Sequence, residues 1–331
     1  MKQYLVLAVG ISLVGASVAP AQTTCRTGVP TAATVTKNTE QQAADFFQYM
    51  APQISAAIAG GSPTLGQTSS LGGLGHISVG VHGTALAGSL PDVSKFPTCY
   101  TGAYSAQLET NSQVIPGAGA DAAIGIFRGL PLALTNVGSV DLLLSATYLP
   151  SYDDNNVSLT EPDGSLKIGY GARVGLLSES IIVPGVSLTV MRRDLPTVDI
   201  AANSNATDSL FVTGLKMNTT SWRIEASKSL VLFGIFGGIG RDHYESTVSA
   251  VRASVVAGAL GRTNTTLNPS PEQKLDRTDI FGGVKLNLLF FKLAAEVGRV
   301  SGGDVTTFNT FTGSEPGAAR TYGSVGLRFG F

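Results

Sequence analysis

The last ten residues of the chain, Tyr322-Gly323-Ser324-Val325-Gly326-Leu327-Arg328-Phe329-Gly330-Phe331, alternate between two kinds of side chain. Val325, Leu327, Phe329 and Phe331 are apolar, and the residues between them are small or charged. Successive side chains of a β-strand point to opposite faces, whereas a helix mixes such positions around its circumference. The segment is therefore predicted to be a strand with one apolar face and one small or polar face.

The same alternation recurs along most of the chain. In residues 166–177, Ile168 and Tyr170 lie on an apolar face, and Lys167 and Arg173 lie on the opposite one. Similar strand signals occur in residues 73–88, 98–111, 119–130, 137–149, 184–194, 208–218, 222–227, 230–243, 244–257, 282–288 and 291–298. About a dozen strands are thus predicted, joined alternately by short turns and by long polar stretches such as 151–164 and 261–276.

The composition favours a membrane protein without membrane-spanning helices. Charged residues make up 14% of the 331 residues, against roughly 25% in soluble chains. Beyond the N-terminal region, the longest apolar run is Leu230–Ile239, which is too short to cross a bilayer as a helix but long enough to cross as a tilted strand. Only a closed barrel then pairs every backbone group. We predict an all-β fold, a transmembrane antiparallel up-and-down β-barrel of about 12 strands, within a range of 10–14.

The chain begins with the features of a cleaved export signal. Lys2 supplies the positive charge, Tyr4 to Val14 form the apolar stretch, and Ala19-Pro20-Ala21 resembles a cleavage site. Residues 1–21 are therefore predicted to be a signal peptide. Cys25 and Cys99, the two cysteines of the chain, are expected to form a disulfide in an oxidising compartment.

The segment between this leader and the first strand has a different pattern. After a predicted start at Thr39-Glu40, Phe46, Phe47 and Met50 recur at helical spacing, and Pro52 is expected to kink the helix. We therefore divide the mature chain into a helical N-terminal segment, residues 22–71, and a barrel, residues 72–331. The helix is either a plug inside the lumen or a periplasmic segment that covers the barrel floor.

Charged residues of the predicted strands share the face opposite the apolar one. A charge on the lipid side costs roughly 2–4 kcal/mol at the midplane of the bilayer, so these side chains are expected to point into the lumen. The candidates that line it are Lys167, Arg173, Arg223, Glu225, Lys285, Lys292, Glu296 and Arg328. They either pair across a filled lumen or line a narrow polar path.

The sequence offers little support for catalysis. His76 and His82 share one face of the first strand but are about 20 Å apart, and His243 follows Asp242, which points to the other face. No nucleophile elbow or metalloprotease motif is present, and the cysteines and histidines lack metal-ligand spacing. We expect no enzyme activity, no catalytic residue, no metal and no cofactor. The net charge of −1 likewise gives no reason to expect a nucleic-acid partner.

The C-terminal segment resembles the assembly signal of bacterial outer-membrane proteins. The residues that carry the resemblance are Tyr322, Val325, Leu327, Phe329 and the terminal Phe331. It implies localisation in the outer membrane of a Gram-negative bacterium, contact with outer-membrane lipid, and recognition of the last strand by the barrel-assembly machinery.

A weaker resemblance covers most of the mature chain. Tyr49-Met50-Ala51-Pro52, the Gly-rich passage after it and residues 211–222 (FVTGLKMNTTSW) are distantly similar to long-chain fatty-acid transporters of outer membranes. This implies a porin-like channel or transporter for passive passage of small molecules, hydrophobic ones among them, with unknown cargo. The alternatives are a structural or adhesive barrel with a closed lumen and, third, a membrane-embedded hydrolase.

Overall fold

The computed structural model describes residues 31–62, 64–95, 105–149, 151–153, 157–203, 208–256, 261–268, 270–288 and 290–330. The predicted signal peptide, both cysteines of the predicted disulfide and Phe331 lie outside the described residues.

Ten strands form a closed antiparallel barrel in which each strand pairs with the next and the last pairs with the first. They are β1 Ile77–Pro91, β2 Thr110–Phe127, β3 Ser139–Tyr148, β4 Leu166–Leu177, β5 Gly185–Asp194, β6 Ser209–Leu230, β7 Phe233–Thr247, β8 Glu272–Asn287, β9 Lys292–Val300 and β10 Arg320–Gly330. The all-β, up-and-down class is confirmed. The predicted number of 12 strands is not confirmed, since the ring has ten strands, the lowest number in the predicted range.

The overcount comes from long strands that the sequence pattern divides. Residues 219–221 separate two of the predicted strands, but β6 is continuous because Thr219 is paired with Arg193 of β5 and Tyr244 of β7. The predicted strand 244–257 splits instead, since β7 ends at Thr247 and a separate strand, Ala250–Val256, leaves the ring. Ladder pairing with both neighbours, and not local polarity, decides where these strands end.

The two ends of the barrel differ in the length of their connections. At one end, the short-turn rim, strands are joined by residues 128–138, 178–184, 231–232 and 288–291. At the other end, the long-loop rim, the connections are residues 92–109, 149–165, 195–208, 248–271 and 301–319. β1 begins and β10 ends at the short-turn rim.

Additional strands extend the wall beyond the long-loop rim. Val198–Asn203 and Ala250–Val256 pair with opposite edges of the first residues of β6. Together with Tyr152–Asp153, Val157–Thr160 and Arg262–Thr266 they form the head sheet. Smaller pieces are the pair Gln107–Leu108 and Thr310–Phe311, the hairpin Leu130–Leu132 with Thr135–Val137, and a 3-10 turn at Val93–Lys95.

The α-helix α1, Ala32–Ala59, packs against the head sheet and enters the barrel at its C-terminal end. It starts earlier than predicted, because Thr31 and Thr34 form a reciprocal capping box. Its core contacts join Ala43, Phe46, Phe47 and Ala51 to apolar residues of the head sheet such as Ile200 and Val251. None of the helices in the described part of the chain is both long and apolar enough to cross a membrane.

The barrel wall is apolar outside and polar inside. Outward-facing side chains such as Val81, Ile280 and Val284 are more than half exposed. The buried, inward-facing residues of the ring strands include Arg173, Arg223 and Asp279. This inversion of a soluble protein's pattern positions charged groups around the segment that fills the lumen.

Candidate functional site

The lumen is occupied by residues 60–62 and 64–76, the lumen segment, which connect α1 to β1. At the top, the Thr84 hydroxyl donates to the Gly60 carbonyl, 3.3 Å away. At the bottom, the Gly125 amide donates to the His76 carbonyl beside the start of β1. Gly61 has φ +86, and a Cβ there would lie 2.7 Å from Ser324 Oγ, so only glycine fits this close approach to the wall.

Two buried arginines hold the C-terminal end of α1. Arg193 Nη1 donates to the carbonyls of Ile58 and Ala59 at 3.3 and 3.1 Å, and Arg223 Nη2 donates to Ala59 at 2.9 Å. The last carbonyls of a helix lack partners within the helix, and its C-terminus carries partial negative charge. Guanidinium groups of the wall therefore satisfy the helix end at the point where it enters the barrel.

A cluster of charges surrounds the upper part of the lumen segment. Ser62 Oγ donates to Glu225 at 2.7 Å, and Ser62 N donates to Glu296 at 3.4 Å. Arg223 forms ion pairs with Asp279 at 3.2 Å and Glu296 at 3.9 Å. The Tyr322 hydroxyl lies between the same two carboxylates, 3.1 Å from Glu296 and 3.4 Å from Asp279, and its one hydrogen can be donated to either.

Lower down, Arg173 links the wall to the segment. Its Nε and Nη2 donate to Asp141 Oδ2 at 3.0 and 2.8 Å, and Nη1 donates to Thr64 Oγ1 at 2.8 Å and to the Gln67 carbonyl. Asp141 also accepts the Leu71 amide at 3.2 Å. Both members of the ion pair have fully buried side chains.

A third group lies where β1 and β10 close the barrel. Arg328 donates to the Leu65 carbonyl at 3.4 Å and to Ser78 at 3.2 Å, and it lies 4.0 Å from Asp121. Asp121 Oδ2 is in turn 2.7 Å from His82 Nδ1. The lumen segment is thus bound to opposite sides of the wall at several heights.

The eight predicted lumen residues all belong to strands of the ring. Arg173, Arg223, Glu225, Lys285, Glu296 and Arg328 are buried, and Lys167 and Lys292 are half-buried. Arg223, Glu225 and Glu296 come together around Ser62, and Lys285 Nζ lies 3.5 Å from Glu179 in the turn after β4. That they line a path for cargo stays a prediction.

Sequence reasoning missed the acidic partners Asp121, Asp141 and Asp279 and the arginine Arg193. Asp141 and Arg193 are buried in their strands in the same alternation as the predicted residues. Their signal was therefore present, but the strands that carry them were predicted only as ranges and no face was assigned.

The three histidines lie in three different places. His76 is exposed at the short-turn rim, and His82 is on the inner wall. His243 points outward near the long-loop end of β7, where its ring nitrogens face Asp276 at 2.8 Å and Glu245 at 3.6 Å.

Above the barrel, α1 is bound to the loop that precedes β10. The Asp45 carboxylate accepts the backbone amides of Phe308 and Asn309 at 2.9 and 2.6 Å, and the Asn309 side chain at 2.8 Å. Burial raises the pKa of Asp45, and the three donors oppose that rise. Tyr49 packs against Phe311 with a centroid distance of 4.4 Å and the two rings tilted by 39°.

The residues of the predicted assembly signal divide between the two faces of β10. Val325 and Phe329 are exposed outside and Leu327 is half-buried, whereas Tyr322 is buried inside and belongs to the charged cluster. Recognition of this strand by assembly machinery stays a prediction.

No family model and no curated protein matches this chain. Among solved structures, it is similar to the translocator domain of the autotransporter NalP from Neisseria meningitidis, with 11% identity, 90% of this chain and 99% of that chain covered, and a TM-score of 0.40. The transport unit of the autotransporter AIDA-I from Escherichia coli has 9% identity, coverage of 89% and 99%, and a TM-score of 0.39. Ail, the attachment invasion locus protein of Yersinia pestis, has 10% identity, coverage of 77% and 99%, and a TM-score of 0.28. Likenesses this low carry no argument about function.

Proposed function

We propose that this chain is an integral protein of the bacterial outer membrane whose barrel is a filled anchor, that is, a membrane-embedded barrel whose lumen is occupied by its own chain. The head sheet at the long-loop rim contacts partners outside the cell. This is the closed-lumen alternative of the sequence analysis, and it replaces passive passage as the leading hypothesis. The observation that carries it is the lumen segment, which is bound to the wall from Gly60 to His76.

The outer surface supports the membrane part of this proposal. An apolar outer wall is suited to contact with lipid, and a closed ring of strands leaves no unpaired strand edge in the bilayer. Unequal connections at the two rims match outer-membrane barrels, in which the short turns face the periplasm. Outer-membrane lipid and the assembly machinery are accordingly the partners that we propose, together with export by a cleaved signal peptide.

The lumen contacts argue against free diffusion through the barrel. Six of the predicted pore-lining charges are buried and contact the lumen segment, each other or other inward groups. Paired charges of this kind stabilise a filled interior. Because the histidines lie apart, we also propose no catalytic role.

Planar-bilayer recording tests the proposal. The refolded full chain should show no stepwise conductance, whereas a variant that lacks residues 25–70 should conduct because its lumen is emptied. Heat-modifiable gel migration of both proteins serves as the folding control. Steady conductance of the full chain would contradict the filled-anchor proposal and restore the channel hypothesis.

A further inference from the structure

The direction in which the lumen segment runs determines on which side of the barrel α1 lies. Gly60 and Gly61 lie against Tyr322 and Ser324 of β10, whereas Leu65 lies against Gly326 and contacts Arg328. Since β10 runs toward the short-turn rim, the segment descends toward that rim as its residue numbers rise.

The opposite wall gives the same direction. Thr64 contacts Arg173 of β4, and Ser70 lies beside Gly175, two residues nearer the end of that strand. The segment then reaches His76 at the short-turn rim, where β1 begins. The lumen segment therefore crosses the barrel from one rim to the other.

Before its last turn, which enters the barrel, α1 makes its contacts near or above the long-loop rim. Glu40 accepts a hydrogen bond from Thr265 of the head sheet, and Gln48 accepts one from Gln273 at the start of β8. Gln53 is bound to Ser89 near the end of β1. Most of the helix thus lies on the long-loop side, opposite to the rim where β1 begins and β10 ends.

We infer that the N-terminal segment of the mature protein is displayed on the outer surface of the cell, and that the barrel closes around its own chain during assembly. The inference rests on the proposed orientation, with the long loops outside. An exported chain reaches the outer membrane from the periplasm, so residues 22–59 have to pass through the ring before the lumen segment is enclosed. The buried ion pairs of the wall then retain the segment.

Labelling with a membrane-impermeant maleimide tests this topology in whole cells. In a chain carrying Cys25→Ala and Cys99→Ala, single cysteines are introduced by Lys37→Cys on α1, Asp163→Cys in a long loop and Ile181→Cys in a short turn. Lys37 has 61% of its side chain exposed and Ile181 is 96% exposed, and Asp163 is also exposed, so each site is open to the reagent.

The expected ratio of labelling in intact to permeabilised cells is near one for Lys37→Cys and Asp163→Cys, and near zero for Ile181→Cys. If Asp163→Cys is labelled in intact cells but Lys37→Cys only after permeabilisation, the inference is wrong and the proposed orientation survives. If only Ile181→Cys is labelled in intact cells, the proposed orientation fails as well. A short epitope inserted between Gly28 and Val29, with both native cysteines kept, repeats the measurement with an antibody should the double alanine variant not fold.

Discussion

Several buried charges of the barrel interior are partnered from more than one direction. Arg173 is the clearest case, because its guanidinium contacts Asp141 of the neighbouring strand and two residues of the lumen segment. A buried ion pair repays its desolvation only when further hydrogen bonds satisfy the remaining donors and acceptors. Arg173 and Asp141 meet that condition, and their contacts bind the lumen segment to the barrel wall.

Replacing Arg173 alone is expected to lower the free energy of unfolding substantially. Arg173→Met removes the charged partner of the buried Asp141 carboxylate and leaves it the hydrogen bond from the Leu71 amide, and a broken buried pair costs roughly 3–5 kcal/mol. The double variant Arg173→Met, Asp141→Leu should recover part of this loss, because neither charge of the pair is then left without the other. The measurement is the urea midpoint of the detergent-refolded protein.

Arg299→Met serves as the matched control, since Arg299 is exposed on the outside of β9. Its effect should stay within about 0.5 kcal/mol. A single Arg173 variant that unfolds at the midpoint of the unaltered chain would show that this pair does not hold the lumen segment.

The helix illustrates how a contact from elsewhere in the fold overrides a local signal. Pro52 has no amide hydrogen, so the carbonyl of Gln48 loses its partner within the helix, and a kink was predicted. The helix nevertheless runs through Pro52 to Ala59. Gln273 of β8 donates from Nε2 to the Gln48 carbonyl at 3.0 Å, and this bond replaces the one that proline removes.

Because Gln273 supplies the hydrogen bond that Pro52 cannot, changes at these two residues are expected to affect the stability of the docked helix non-additively. Gln273→Leu should destabilise the docked helix by about 1–3 kcal/mol, because the Gln48 carbonyl is left unsatisfied. In a Pro52→Ala background the same change should cost less, since the amide of the introduced alanine can bond to that carbonyl. Hydrogen exchange of the α1 amides, measured for the four proteins, gives the coupling energy.

Equal costs of Gln273→Leu in the two backgrounds would mean that the Gln48 carbonyl does not depend on Gln273. Lys274→Met, which changes the exposed neighbour of Gln273, is the control and should leave exchange in α1 unaltered.

The whole molecule is a β-barrel with polar residues inside, apolar residues outside and the head sheet above the long-loop rim. The outward residues of β8 change from Ile280, Val284 and Leu286 to Lys274 and Asp276 toward the long-loop rim. This change marks one boundary of the band that faces lipid in the proposed orientation.

A charge inside that band should impair insertion. Val284→Arg places a guanidinium among outward apolar residues, and the expected loss is roughly 2–4 kcal/mol if the site lies near the midplane. The readout is the heat-modifiable fraction after refolding into lipid vesicles. Asp163→Arg, in an exposed loop, should fold like the unaltered chain. Unimpaired insertion of the Val284 variant would count against the assignment of this face to lipid.

The sequence by itself determined the fold class and which way many side chains point. Alternation is a property of single strands, so Lys285, Glu296 and Arg328 could be assigned to the inner face without knowledge of any neighbour. The helix could likewise be predicted from the spacing of Phe46, Phe47 and Met50, although its start and its continuity through Pro52 could not.

Only the tertiary structure decided the number of strands, the charge partners and the filling of the lumen. Strand ends depend on ladder hydrogen bonds from neighbouring strands, as for Thr219 in β6. The partners of Arg173 and Arg223 come from strands and from a segment far away in the chain. Local periodicity carries no information about such distant contacts. The Gly-rich stretch after α1 became a lumen segment because glycine and small polar residues fit against a charged wall that only barrel closure creates.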